Sequence, residues 1–143
     1  MAVFKKILVP VDGSKHAGMA LAQAVCLAEL CGAALVLLYV VDLNQKISSF
    51  EQVSTGGYIP VEIKNEGEKL LADLRGKIPQ TVCVQSVVAV GQPPDTIVET
   101  CLQGKYDLIV MGSRGLGKLE RVFLGSVSQY VLTHAPCPVM IIR

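Results

Sequence analysis

Short apolar runs recur along the chain and alternate with longer amphipathic segments. The runs are rich in Val, Ile and Leu, which is typical of strands that are buried on both faces of a sheet. They predict five strands, at residues 6–11, 34–41, 83–90, 108–111 and 139–142.

The segments between these runs carry apolar residues three or four positions apart, which predicts helices. The first helix follows Asp12 or Ser14, either of which can cap it, and it ends at Gly32. The third begins at Pro93. The apolar stripes are Ala17, Leu21, Ala24, Val25, Ala28 and Cys31 in the first helix; Ile63, Gly67, Leu70, Leu71, Leu74 and Ile78 in the second; Ile97, Val98, Cys101 and Leu102, predicted to point inward, in the third; and Val127, Val131 and Leu132 in the fourth.

Strict alternation of strand and helix implies parallel strands joined by right-handed crossovers. The length of 143 residues suits one domain, spanning residues 1–143. The sequence therefore predicts a single-domain α/β fold, an open five-stranded parallel sheet with helices on both faces.

Composition and charge exclude several classes of protein. Hydrophobic residues make up 51% of the chain and charged residues 17%, which argues against disorder. The net charge of +1 gives no reason to expect nucleic acid as a partner. The longest apolar run, residues 33–41, is too short for membrane insertion, and no signal peptide precedes the first strand, so a cytoplasmic location is expected.

Cysteine and histidine offer little support for metal or hydrolytic chemistry. The five cysteines are odd in number and show no C-x-x-C spacing, so we expect buried thiols and neither a disulfide framework nor a zinc site. His16 and His134 have no adjacent nucleophile in the sequence, and His134 suits the end of the fourth helix as a dipole partner.

One connection is long and polar. Residues 42–58 carry serines and glycines without a sustained period. Connections of this length in a compact domain are either lids or disordered segments, and both interpretations stay open.

A glycine-rich loop follows the fourth strand and indicates phosphate binding. Gly112, Gly115 and Gly117 come first, and Gly125-Ser126 then opens the fourth helix. Glycine lets the backbone approach a ligand closely. The N–H groups at a helix start favour bound anions.

Two better-known phosphate motifs do not fit this loop. Residues 112–119 read Gly-x-x-x-x-Gly-Lys-Leu, and Leu119 lacks the hydroxyl that a Walker A loop needs to hold magnesium. The glycines are also spaced wrongly for a dinucleotide fingerprint, and no acidic residue follows the next strand to bind a ribose.

The spacing Gly-x2-Gly-x9-Gly-Ser, from Gly112 to Ser126, resembles the nucleotide-binding signature of the ATP-binding branch of the universal stress protein family. The opening residues 7–14 (ILVPVDGS) and the ending at residues 135–142 (APCPVMII) resemble the same family, so the likeness covers nearly the whole chain. It implies a Rossmann-like sheet of order 3-2-1-4-5, bound ATP with Mg or Mn held through the phosphates, and a homodimer. As a sheet edge, the C-terminal strand would leave unpaired backbone groups, which favours pairing with a second copy through this strand.

The resemblance also implies the roles of individual residues. Asp12 would be directed at the sugar or at a phosphate-bound metal, while Val40 or Val41 would lie beside adenine. Arg114, Lys118 and Arg121 are further candidates to neutralise phosphates. The implied binding residues are Pro10, Val11, Asp12, Val40, Val41, Met111, Gly112, Arg114, Gly115, Gly125, Ser126 and Val127.

Three functions stay open from the sequence. The first is an ATP-binding regulatory or stress-response protein, as the resemblance implies. The second is an enzyme on the same scaffold, such as an ATPase or a nucleotidyl transferase. The third is an interaction protein that binds no nucleotide. Within residues 111–128 Glu120 is the only acidic candidate to orient an attacking water, so any ATP hydrolysis is expected to be slow.

Overall fold

The computed structural model describes residues 3–42, 61–115 and 124–143, without the side chains of residues 61 and 62. The candidate lid at 42–58, except its first residue, lies outside these ranges, as do Gly117, Lys118, Glu120 and Arg121. The described elements are β1 (Lys6–Pro10), α1 (Lys15–Cys31), β2 (Ala34–Val41), α2 (Val61–Arg75), β3 (Val84–Val90), α3 (Pro93–Gly104), β4 (Leu108–Gly112), α4 (Ser126–His134) and β5 (Val139–Ile142).

The strands form one parallel sheet in the order β3-β2-β1-β4-β5. Lys6 pairs with Ala34 across β1 and β2, and Ile7 pairs with Leu108 across β1 and β4. The sequence order therefore reverses between β1 and β4, and β5 is an edge strand. The predicted fold class and strand order are confirmed.

Each face of the sheet carries its own core because successive strand residues point to opposite sides. On β1, Ile7 and Val9 pack in the core under α1 and α2, whereas Leu8 packs in the core under α3 and α4. All three side chains are fully buried. The short apolar runs thus form strands covered on both faces.

The start of α1 uses both residues that the sequence proposes as its cap. The Ser14 hydroxyl accepts a hydrogen bond from the Ala17 amide at 3.2 Å and is the N-cap. Asp12 instead accepts the Ser14 amide at 2.9 Å, which closes the turn between β1 and α1. At the other end, Gly32 adopts a left-handed conformation with φ of 69°, and its amide bonds to the Ala28 carbonyl.

Two details of the predicted helices are wrong. Leu102 is 63% exposed and not inward, because the buried positions on α3 are Ile97 and Cys101, and Leu102 lies about 100° around the helix from Cys101. Ile78 lies beyond α2, which ends at Arg75, although its side chain still packs against the core.

Candidate functional site

A cavity of about 470 Å³ lies at the carboxyl edge of the sheet, where β1 and β4 adjoin. Ligands of open parallel sheets bind at such a reversal of strand order. The volume is also within the roughly 300–1,000 Å³ range of small-molecule sites. The lining residues are Pro10, Val11, Asp12, Ser14, Ala17, Leu38, Tyr39, Val40, Asp42, Pro93, Ile97, Met111, Gly112, Arg114, Gly115, Leu124, Gly125, Ser126, Val127 and Ser128.

The cavity gathers every predicted binding residue except Val41. Val41 is 1% exposed and belongs to the core under α1 and α2, while its neighbour Val40 lines the cavity. The two valines lie on opposite faces of β2. The sequence left open which of them lies at the binding site, and in the structure Val40 is the one that lines the cavity.

Several lining residues were not predicted. Leu38 lies within β2 and Asp42 directly follows this strand, whereas Pro93 and Ile97 lie in the first turns of α3. The strand order supplies a signal for them, because the carboxyl ends of neighbouring parallel strands, and the helix starts that follow, share one edge.

Gly112 has a packing role that its place in a glycine-rich loop does not reveal. A Cβ atom there would lie 2.7 Å from the His16 Cβ and 2.8 Å from the His16 carbonyl carbon. Both atoms belong to the first turn of α1, so glycine allows α1 to cross directly over the end of β4. This contact brings the β1–α1 turn, with Asp12, against the end of β4.

The start of α4 leaves backbone donors at the cavity. No side chain caps the helix, and its N-cap, Gly125, donates its own amide to the Ser113 carbonyl at 2.6 Å. The first intrahelical bond runs from the Gln129 amide to the Gly125 carbonyl. The amides of residues 126–128 precede this bond and have no acceptor within the helix, so they can bind an anion.

Ser128 fixes the position of this helix start, a role that the sequence did not suggest. Its hydroxyl is buried and lies 3.0 Å from the carbonyl oxygens of both Gly112 and Ser113, so one proton is shared between two acceptors. Together with the bond from Gly125 to Ser113, this contact ties the first turn of α4 to the end of β4.

Asp12 contributes negative charge to the same cavity. Its Oδ1 accepts the Ser14 amide, and a Cβ at Gly115 would lie 2.5 Å from its Oδ2. The glycine at 115 therefore lets the loop after β4 pass close to this carboxylate. A carboxylate repels a phosphate directly, so Asp12 suits a sugar hydroxyl or a cation carried by the phosphates.

Metal ligands are sparse in the described part of the chain. Across residues 3–42, 61–115 and 124–143, no three His, Cys, Asp or Glu side chains are grouped to hold a metal ion. Asp12 fits a hard cation such as Mg²⁺ only as one oxygen ligand among others, which matches the habit of this ion to bind through one or two carboxylates and substrate phosphates.

The histidines have other contacts. The backbone of His16 packs against Gly112, and the ring of His134 stacks on Tyr130 with centroids 4.0 Å apart. The His134 Nδ1 also lies 2.9 Å from the Tyr130 carbonyl oxygen, in the last turn of α4. This position agrees with the predicted role of His134 at the helix end.

A second cavity of about 320 Å³ lies at the opposite edge of the sheet and contains none of the predicted residues. It is lined by Ala28, Glu29, Gly32, Ala33, Thr81 and Cys83.

No helix in the described ranges has the length and apolar character that a membrane span requires.

Comparisons with known proteins agree on one family. The family model described as "Universal stress protein family" matches residues 4–143. The chain is 34% identical over 147 residues to the universal stress protein MJ0531 of Methanocaldococcus jannaschii, an alignment that covers 99% of this chain and 83% of that protein.

Solved structures show the same fold. The universal stress protein UspA from Lactobacillus plantarum superposes with a TM-score of 0.76 at 31% identity, over 100% of both chains. The hypothetical protein MJ0577 superposes with a TM-score of 0.81 at 27% identity, over 97% of this chain and 95% of that one.

Two further structures of this fold contain adenine nucleotides. One is a universal stress protein in complex with cAMP, at 23% identity and a TM-score of 0.66 over 98% of this chain and 97% of that one. The other is a universal stress protein from Archaeoglobus fulgidus in complex with dAMP, at 20% identity and a TM-score of 0.64 over 100% of both chains. At these identities the likeness concerns the fold.

Proposed function

This chain belongs to the universal stress protein family, and we propose that it binds ATP in the cavity at the carboxyl edge of the sheet. In this proposal the bound nucleotide sets the regulatory state of the protein in a stress response. The observation that carries it is the uncapped start of α4, whose first amides line the same cavity as Asp12 and a set of apolar side chains.

The apolar part of the cavity suits a nucleobase. Val40 and Leu38 from β2 and Ile97 from α3 line the cavity and belong to the same apolar cluster. Burial of an adenine ring against aliphatic side chains removes apolar surface from water, which favours binding. The proteins of this fold that hold cAMP and dAMP indicate that the fold accepts an adenine nucleotide.

The polar part of the cavity suits the sugar and phosphates. In the proposal the phosphates bind to the amides of residues 126–128, where the helix dipole adds to the attraction. The Gly125 amide takes no part because it already bonds to Ser113. Asp12 binds the ribose or contributes an oxygen to Mg²⁺ or Mn²⁺ on the phosphates, and the cation would offset the repulsion between this carboxylate and the nucleotide.

Bound ATP would act as a state marker. Asp12 and Asp42 are the carboxylates among the described lining residues. The Asp12 Oδ1 is already engaged by the Ser14 amide, which leaves it poorly suited to orient an attacking water. Slow hydrolysis stays a prediction from the sequence, as does a cytoplasmic location.

The experiment is to denature the purified protein and identify released nucleotide by mass spectrometry, then to melt nucleotide-free protein with and without MgATP. At 100 times the dissociation constant, one-site binding stabilises the fold by roughly 2.7 kcal/mol. For 143 residues the unfolding entropy is about 0.3 kcal/mol/K, so the midpoint is expected to rise by about 9 °C. An unchanged midpoint with millimolar MgATP contradicts the proposal.

A further inference from the structure

Two cysteines from distant parts of the chain meet on the α3–α4 side of the sheet. Cys101 lies in α3 and is fully buried, whereas Cys137 lies between α4 and β5 and is half-buried. Their Sγ atoms are 3.1 Å apart and share a hydrogen bond. A disulfide has an S–S length of about 2.0 Å, so the two sulfurs need to approach by only about 1 Å.

We propose that Cys101 and Cys137 are a modification site at which a hydroperoxide oxidises the two thiols to an intramolecular disulfide. Half-burial makes Cys137 the thiol that a small oxidant can reach, while full burial shields Cys101. Among the other described cysteines, Cys26 and Cys83 are exposed, so the expectation of buried thiols is wrong for these two.

The chemistry balances in two steps with hydrogen peroxide as the oxidant. The Cys137 thiolate attacks one peroxide oxygen, the O–O bond breaks, and Cys137 sulfenic acid and hydroxide form. Cys101 loses its proton and attacks the Cys137 sulfur, the S–O bond breaks, and the oxygen leaves as water. In sum, two thiols and one peroxide give one disulfide and two waters.

The surroundings of the pair set the pH at which this reaction is fast. Burial, then the hydrogen bond that Cys101 donates to Cys137, raises the pKa of Cys101 to about 12. Burial also raises the pKa of Cys137, while hydrogen bonds from Cys101 and the Ile109 amide lower it in part. The Asp107 carboxylate raises the pKa of both cysteines. The ring of the neighbouring Tyr106 lies under the Lys6 ammonium, and burial raises the pKa of its hydroxyl. Oxidation is therefore slow at neutral pH and accelerates up to tenfold for each pH unit.

The disulfide would close a loop of the chain that includes the proposed phosphate-binding amides. Residues 101 and 137 are 36 positions apart, and the loop between them contains β4 and α4 with the amides of residues 126–128. Closing a loop of this length constrains the unfolded chain. The melting midpoint of the oxidised protein is expected to rise by about 10 °C.

The test uses a Cys26→Ser/Cys31→Ser/Cys83→Ser variant, in which the proposed pair holds the only thiols. The variant is treated with hydrogen peroxide at two pH values, remaining thiols are alkylated, and tryptic peptides are analysed by mass spectrometry. The expected product joins peptide 78–105 to peptide 122–143 with the loss of two hydrogen atoms. It forms faster at the higher pH, raises the melting midpoint, and disappears with dithiothreitol.

Two controls keep the result specific. Wild-type protein at low concentration is analysed for the same crosslink, so the test does not depend on the triple variant folding. Adding Cys137→Ser to the triple variant is expected to abolish both the crosslink and the rise in melting midpoint. Alkylation of both Cys101 and Cys137 after peroxide treatment, or overoxidation of Cys137 without a crosslink, overturns the proposal.

Discussion

Replacing Gly112 by alanine tests whether the crossing of α1 over β4 depends on the absence of a side chain. The added Cβ would lie 2.7 Å from the His16 Cβ, and ordinary contact begins at 3.4 Å. The helix and strand must separate by about 0.7 Å to accommodate it. Because two further close contacts are to the His16 backbone, at 2.8 and 3.0 Å, a change of side-chain rotamer cannot relieve the overlap.

The expected cost follows from this geometry. Overpacking a well-packed core costs typically 1–3 kcal/mol. With an unfolding entropy of about 0.3 kcal/mol/K for 143 residues, a loss of about 2 kcal/mol lowers the melting midpoint by about 7 °C. The matched control is Gly18→Ala in the same helix, where an added Cβ meets nothing within 4 Å. Alanine there is expected to stabilise the helix by about 0.5–1 kcal/mol.

Thermal and urea unfolding followed by circular dichroism measure both variants. The two variants are expected to shift the midpoint in opposite directions, Gly112→Ala below wild type and Gly18→Ala above it. A Gly112→Ala protein that unfolds at the wild-type midpoint would refute the packing role of Gly112. In that case the glycine would belong to the loop alone, as the sequence first suggested.

Three further predictions concern the site and the assembly. Ser128→Ala removes the hydroxyl that ties α4 to β4, so it is expected to lower the free energy of unfolding by about 1–2 kcal/mol and to weaken ATP binding. Its control, Thr133→Ala, loses only an exposed bond to the Gln129 carbonyl in the same helix and is expected to stay within about 0.5 kcal/mol of wild type. Equal melting midpoints for the two variants would contradict the anchoring role of Ser128. By calorimetry, Gly125→Val is expected to abolish ATP binding, because a Cβ there already lies 3.4 Å from the Ser113 carbonyl oxygen and a branched side chain would crowd the start of α4. Lys118→Ala, at a position outside the described residues, is expected to weaken binding less, and the reverse ranking would favour a Walker-type grip. Light scattering at micromolar concentration is expected to give twice the chain mass of 15.3 kDa, since β5 is an edge strand, and a monomer mass would reject pairing through β5.

The sequence predicted the strands, the helices and the residues that line the cavity better than it predicted non-local contacts. Alternating strands and helices indicated the parallel fold, and the glycine spacing located one wall of the cavity, because both signals are local. The choice between Val40 and Val41 required the pleat of β2, which decides the face that each valine lines. The packing role of Gly112 depends on His16, almost a hundred residues earlier in the chain, so no local pattern could reveal it.

Helix faces show the same limit. The spacing of apolar residues placed Leu102 inside, yet α3 buries a narrow stripe centred on Ile97 and Cys101. The width of that stripe is set by the neighbouring α4 and the sheet, and these contacts are not visible in the α3 sequence. Similarly, the Cys101–Cys137 contact arises because α3 packs beside the segment that follows α4.

Binding of ATP at the start of α4 is measured by isothermal titration calorimetry of nucleotide-free protein with MgATP. Saturable binding of one ATP per chain is expected in wild-type protein, and its loss is expected in a folded Gly125→Val variant. Absence of binding by wild-type protein up to millimolar MgATP, or undiminished binding by the Gly125→Val variant, would contradict ATP binding at the start of α4.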